Sequence, residues 1–333
     1  MTWRRVPESE AAESWDAQLV EFAGHNLYQS SEWGRYKSIR GWRPEYFQAE
    51  ADGTRVAMLM ALVREYPLRT VVSWWPGGLA GTLDGCSPDA MRQLASLLGA
   101  RALYCRSSFV RRRNAEDAVR LDAQGWTRPA HPVSAGMSAI WDLRPPAAEL
   151  LAGLNKNWRY SLKQAQKSGL VVERLVDPSI PELAALCTAM HASKGVDGAF
   201  PESEVAAMLT AMGHRAVVFA CRNAAGELMA FHSCAILGAQ AWELIAATSP
   251  EGRRAGASFA VLWTLVLHCQ REGVERYDLA GLDPVNAPGV ASFKRWTGAQ
   301  DVEWLGEWEW STSALLRHGV NLAARARTAS GLP

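Results

Sequence analysis

Residues 277–297, YDLAGLDPVNAPGVASFKRWT, decide how the rest of the chain is read. With the preceding Gly273-Val274-Glu275-Arg276, their start reads as a short buried strand that delivers Tyr277, Asp278 and Leu279 at its carboxyl end. Ala280 and Gly281 offer little side chain, so a ligand or another backbone can come close there. Asp283-Pro284 and Pro288-Gly289 make the next segment a turn-rich loop ending at Phe293-Lys294. A lone lysine after such a loop is ordinarily a solvated surface charge.

Around this stretch lie 333 residues, enough for two domains of roughly 150 each. Hydrophobic residues make up 48% and charged residues 21%, the balance of a chain that can bury large cores. Lys and Arg number 35 against 34 Asp and Glu, so no whole-molecule field favours nucleic acid. Six scattered cysteines show no Cys-x-x-Cys and no metal-ligand spacing, which reads as buried small hydrophobes in a reducing compartment and no metal. No apolar run reaches the ~18 residues of a membrane span, and residues 1–15 lack a signal-peptide core. The expectation is a cytoplasmic monomer without an integral membrane segment.

Taken in order, residues 8–24 pattern as a helix, and Ser30-Ser31 cap a second one carrying Trp33, Tyr36 and Lys37, stopped at Gly41. Trp33 and Lys37 are four apart and share a face. A hairpin around Asp52-Gly53 follows, then the strand TVVSWW, a turn at Pro76-Gly77-Gly78, a helix over 88–100, the strand ALYCRSS and a helix over 116–124. This α/β unit closes near Leu143, and Pro145-Pro146 marks a boundary, giving domains 1–144 and 145–333. The second domain opens with a helical segment whose Arg159, Lys163 and Lys167 make a basic edge, a solvated face in the ordinary case. Helices over 181–193 and 203–212 precede a hairpin turning at Ala225-Gly226 and the strand QAWELIAATS. A loop, SPEGRRAGAS, then leads into a long apolar helix. The same plan of helices, hairpin, strand, helix and strand occurs twice.

The order YDLAGLDP, loop, FKRWTGAQ and LGEWEW resembles the C-terminal signature of the Fem family of aminoacyl-tRNA-dependent transferases, which add amino acids to peptidoglycan precursors. Ala280 stands where that family usually has a first glycine. Gln29, Trp33 and Lys37 match the family's opening Gln-x-x-x-Trp-x-x-x-Lys, and the basic helix with Arg159 precedes a Val-rich strand as in the family. The resemblance implies an α/β (α+β) fold of two GNAT-like domains, each a mixed, mostly antiparallel sheet flanked by helices. It also implies an aminoacyltransferase that moves an amino acid from aminoacyl-tRNA, as co-substrate, to an amine or hydroxyl of a UDP-linked or lipid-linked cell-wall precursor or a small molecule.

Under that resemblance Lys37 and Trp33 hold the acceptor's diphosphate region, Arg106 is the first domain's strand-end Arg, and Tyr277, Phe293 and Arg159 are further substrate contacts. Lys294 would steady the oxyanion of acyl transfer, and Asp278 and Asp283 would bind or deprotonate the attacking ammonium. Arg253-Arg254-Ala255-Gly256-Ala257-Ser258 partly fits the GNAT loop whose backbone N–H groups take a pyrophosphate, so Arg253, Arg254, Gly256 and Ser258 are the candidate donor site. That loop keeps open a second reading, an acyl-coenzyme-A-dependent N-acyltransferase using acetyl-CoA. Two departures stand out. Residues 195–204, GVDGAFPESE, hold no Arg where the family binds phosphate, and Arg106 is followed by Ser107, Ser108 and Phe109 rather than by a carboxylate.

Overall fold

The structure, a computed structural model, describes residues 1–193 and 200–329. The chain divides into two units, residues 1–136 with 303–333 and residues 137–302.

In the first unit, Trp3 and Val6 are the buried residues of an edge strand, β1 (Thr2–Val6), to which the sequence reading assigned no element. Helix α1 (Glu8–Leu19) buries Trp15 and Leu19, and α2 (Ser31–Ser38) begins where Ser30 Oγ accepts the Trp33 N–H at 3.1 Å. Strands β2 (Arg43–Ala51) and β3 (Thr54–Tyr66) form the expected hairpin, with φ +51° at Asp52 and +75° at Gly53 as a tight primed turn requires. Next come β4 (Thr70–Gly77), the short β5 (Ala80–Gly81) against β3, α3 (Pro88–Leu97), β6 (Ala102–Arg112) parallel to β4, and α4 (Ala115–Ala123). Phe47, Leu59, Trp75, Phe109 and Trp126 fill its core.

The second unit begins with β7 (Met137–Asp142), then α5 (Ala147–Gly153) and α6 (Lys156–Lys167), which break at Leu154-Asn155 where Asn155 caps α6. Strand β8 (Val171–Leu175), α7 (Ile180–Ala192) and α8 (Glu202–Met212) follow. The hairpin of β9 (Ala216–Arg222) and β10 (Leu228–Leu237) continues into β11 (Gln240–Thr248). The expected loop over 249–256 is instead a short helix, α9 (Pro250–Ala255), ended by Gly256 at φ +73°. Then come the apolar α10 (Ala257–Arg271), β12 (Arg276–Gly281) and α11 (Pro288–Arg295). The sheet order is β7-β12-β11-β10-β9-β8, with only β11 and β12 parallel. Trp141, Trp158, Val261, Leu265, Val266 and Tyr277 lie in its core.

The chain returns to the first unit through β13 (Gln300–Ser311), which pairs antiparallel with β6, and ends in α12 (Ala314–Ala329). The first sheet therefore runs β1-β2-β3-β4-β6-β13. Here the structure differs from the sequence reading. β7, which follows the first plan of elements, lies against β12, and β13, which follows the second, lies against β6. Division at Pro145-Pro146 gives way to crossings near 136 and 302, because a strand's alternation declares which face it buries and not which partner it joins.

Among the described residues no helix is long and apolar enough to cross a membrane, and no group of His, Cys, Asp and Glu side chains is arranged to hold a metal ion. All six cysteines are free and buried.

Candidate active site

Strands β11 and β12 share a ladder only from Gln240 to Trp242 and from Arg276 to Asp278. Beyond it lies a cavity of about 760 Å3 in the second unit, walled by the later residues of both strands, the start of α10 and one face of α11. Glu243 and Leu279 are the first residues past the ladder on each strand, and both line it.

The backbone of β12 is bent at that point. Its register against β7 slips between Asp278 and Gly281, and Ala280 takes φ +62°, a left-handed conformation rare for a residue with a Cβ. The bend turns two carbonyls the same way. Lys294 Nζ donates to Gly281 O at 2.7 Å and to Ala280 O at 3.2 Å. Phe293 and Lys294 sit on α11 and not at the end of a loop: Pro288, read as a turn residue, has a fixed φ that suits the first turn of a helix equally well. Burial pushes the Lys294 ammonium below the ordinary lysine range, against the opposing pull of Glu243 and Asp278.

Asp278 is buried behind this wall. Burial raises its carboxyl to about 6, although the Ser138 hydroxyl and the Ala280 N–H, the latter at 2.8 Å, both bond it. Ser138 Oγ also lies 3.0 Å from Ala280 O. Having one hydrogen, it donates to the carboxylate when Asp278 is ionised, and can turn to the carbonyl when Asp278 carries its own proton.

A second polar line crosses the unit. Ser258 Oγ is 2.7 Å from His232 Nε2, His232 Nδ1 is 2.6 Å from Glu243 Oε1, and the Tyr277 hydroxyl donates to Glu243 Oε2 at 2.5 Å. Burial first, and Glu243 next, hold the Tyr277 phenol well above its ordinary range, so it stays a donor. Sequence reading missed His232 and Glu243. Their signal was a polar residue in each of two apolar strands, MAFHSCAIL and AWELIAA, where an unpaired polar side chain would be costly.

Of the candidate donor residues, Arg253, Gly256 and Ser258 line the cavity. Arg253 reaches Ser193 Oγ at 2.7 Å, whereas Arg254 is exposed and pairs with Glu251 at 2.7 Å. Gly256 is required by its own φ and by α6, since a Cβ there would lie 2.9 Å from the Ser161 carbonyl oxygen. Two candidates stand apart. The Asp283 carboxylate is exposed and accepts from the Val285 and Asn286 N–H groups, and those bonds with Asn286 hold it below the ordinary range. Arg159 bonds the Ala152 and Leu154 carbonyls at the end of α5.

In the first unit, Lys37 Nζ lies 4.4 Å from the ring centre of Tyr36, 5.0 Å from Trp33 and 5.6 Å from Trp74. Gln29 is committed to backbone: its amide donates to Met60 O and Pro76 O and accepts from Met60 N. Arg106 finds a carboxylate after all, from β13: its guanidinium bonds Glu307, whose other oxygen accepts from the Val133 N–H at 2.8 Å. Of the segment noted for its missing Arg, the first half, residues 195–199, lies outside the described residues.

Comparison with known proteins agrees with this architecture. Residues 153–312 match the family model of the acetyltransferase (GNAT) domain. No curated protein matches the sequence. The crystal structure of FemX superposes with a TM-score of 0.81 at 16% identity, over 96% of this chain and all of FemX. A tandem GNAT protein from the clavulanic acid biosynthesis pathway gives 0.58 at 15% identity, over 93% of this chain and 98% of that one. L-PGS from Bacillus licheniformis gives 0.56 at 15% identity, over 94% and 95%. At such identities the likeness is one of fold: the chain is a FemX-like pair of GNAT-like units, the second of which contains most of the residues that match the acetyltransferase (GNAT) domain model.

Proposed function

We propose that the protein is an acyltransferase whose second unit moves an aminoacyl group from aminoacyl-tRNA to an amine or hydroxyl acceptor, a cell-wall precursor or a small molecule. The observation that carries this reading is the Lys294 ammonium, fixed by two backbone oxygens at the wall of the cavity, where it is the one lysine among the described residues that line it. Two of its three N–H donors go to Ala280 and Gly281, and the third is left for a ligand. Acyl transfer builds negative charge on the carbonyl oxygen, and a cation already held in place stabilises that charge more than it does the ester. Asp278 lies behind Ala280 and keeps the region anionic above its titration, which favours the lysine's charged form. The FemX-like architecture supports tRNA as donor.

A specific feature favours an alternative donor. Gly256 and the start of α10 line the same cavity inside the GNAT-matching residues, where an acyl-coenzyme A pyrophosphate would meet helix N–H groups. Incubation with a mixed pool of radiolabelled aminoacyl-tRNAs, beside labelled acetyl-CoA, over one set of amine acceptors separates the two. Label moving from tRNA supports the first reading. Label moving only from acetyl-CoA replaces it with the second, and movement from neither removes both.

A further inference from the structure

Ser258, His232 and Glu243 all line the cavity, and their hydrogen bonds run in one direction. A carboxylate only accepts, so His232 Nδ1 carries the proton toward Glu243. In the neutral ring Nε2 is then the acceptor, and the hydroxyl 2.7 Å away donates to it. The tautomer is set by the wiring. Tyr277 occupies the other oxygen of Glu243, which fixes that carboxylate, and the His232 ring stacks on Phe293 at 6.2 Å and 22°, which fixes its plane. Capping does not explain Ser258. The residue at the cap of α10 is Gly256, and Ser258 stands inside the helix with its side chain turned to the imidazole. A hydroxyl bonded to an imidazole, itself oriented by a carboxylate, is the arrangement that makes serine reactive toward acyl carbon. The positive end of a fifteen-residue helix favours the alkoxide that forms.

We propose that Ser258 is a nucleophile and that transfer runs through an acyl ester on its Oγ. The inference rests on reading this cavity as an acyl-transfer site and on the donor's acyl carbon, rather than a coenzyme A pyrophosphate, sitting at the start of α10; it does not depend on whether that acyl group arrives as an ester or a thioester. In the first half, Ser258 Oγ adds to the donor carbonyl and gives its proton to His232 Nε2. The bond from carbonyl carbon to the donor's ester oxygen or thioester sulfur breaks, and that atom leaves with the proton from His232. In the second half, the acceptor amine adds to the Ser258 ester and gives a proton to His232. The C–Oγ bond then breaks and Oγ recovers its hydrogen. No oxidant or reductant enters. His232 serves twice, first as base and then as acid, and Glu243 is a positioning residue.

The test uses p-nitrophenyl acetate, an activated ester needing neither tRNA nor coenzyme A, on the full chain. The expected result is a burst of p-nitrophenolate equimolar with protein, and one acetyl group on the peptide containing Ser258 after acid quench. Ser258→Ala should lose both, and its transfer to an amine acceptor should fall on the order of a thousandfold with its melting temperature unchanged. Ser258→Cys should still be acylated, now as a thioester, which guards against a folding defect in the alanine variant. Glu243→Gln should leave the acylation site the same while moving the pH profile of its formation, a change that mere loss of packing would not produce. Absence of a burst, acetylation elsewhere, or transfer by Ser258→Ala within about threefold of the parent rate would overturn the proposal. Those outcomes leave the donor question untouched. Conversely, a burst at Ser258 without transfer from tRNA or coenzyme A would overturn the proposed donors and leave the acyl-enzyme standing.

Discussion

Ala280 and Lys294 are joined through a single backbone oxygen: the Ala280 carbonyl accepts from the lysine ammonium at 3.2 Å because Ala280 sits at φ +62°. A residue with a Cβ is strained there, and glycine is not. Ala280→Gly should therefore keep the carbonyl in place and raise stability by about 1 kcal/mol, read from the urea midpoint. Ala280→Val should lower both stability and activity. A less stable glycine variant would show that the left-handed conformation is not the source of strain.

Lys294→Ala removes the cation and leaves two carbonyls facing the cavity. The expected loss in kcat is on the order of a hundredfold or more, with the melting temperature little changed. A normal kcat would remove the centre of the proposed chemistry. Lys294→Arg should recover little, because a planar guanidinium on a three-methylene stem does not reproduce the position of Nζ.

Asp278 makes stability depend on pH in a defined direction. Its folded carboxyl titrates at about 6, above the ordinary aspartate value near 4, so the folded chain keeps a proton that the unfolded chain releases. This contribution is fully present below about pH 4, is lost as pH rises toward about 6, and is flat above that. Asp278→Asn retains an oxygen for Ser138 and Ala280, so its urea midpoints should lose that share of the slope. Asp16, raised by burial and by Glu32 to about 7, supplies a slope of the same sign that persists in the variant. Identical slopes for parent and variant would place the Asp278 titration elsewhere.

Lys37 stands among three aromatic rings. Lys37→Ala should raise KM for a phosphorylated acceptor while leaving kcat largely unchanged, with a stability loss of about 1 kcal/mol from the lost cation–π contacts. If stability alone changes, the lysine is scaffold.

Arg106 and Glu307 are a buried pair, with side chains 12% and 1% exposed. Arg106→Ala strands a carboxylate in the core and should cost about 3 kcal/mol by chemical denaturation. Adding Glu307→Gln should restore much of that, since an amide oxygen still accepts the Val133 N–H without a charge. No recovery in the double variant would mean the arginine's packing matters more than its charge.

The turns and caps were legible because each is decided within a few residues: Asp52-Gly53 turns and Ser30 caps. The proline-rich stretch before Lys294 was read as loop because Pro288-Gly289 satisfies a turn and a helix start equally, and only packing of Phe293 against Trp158 and Phe259 chooses the helix. Of the candidate site, Lys294 and the segment 253–258 were picked out by their resemblance to family motifs, since local spacing alone makes Lys294 a solvated surface charge. His232 and Glu243 could not, because a polar residue in an apolar strand announces that it needs a partner without naming one.

By itself, then, the sequence determined two repeats of one α/β plan, the strand that carries Tyr277 and Asp278, and the Phe293-Lys294 pair that follows it. Tertiary structure alone decided that β7 joins β12 and β13 joins β6, that Arg106 meets a carboxylate 201 positions away, and that Ser258 meets an imidazole 26 positions before it. The reason is physical. Propensity and alternation act over a handful of neighbours and fix which face of an element is buried, whereas partnership between distant side chains depends on which faces are brought together when the whole core closes.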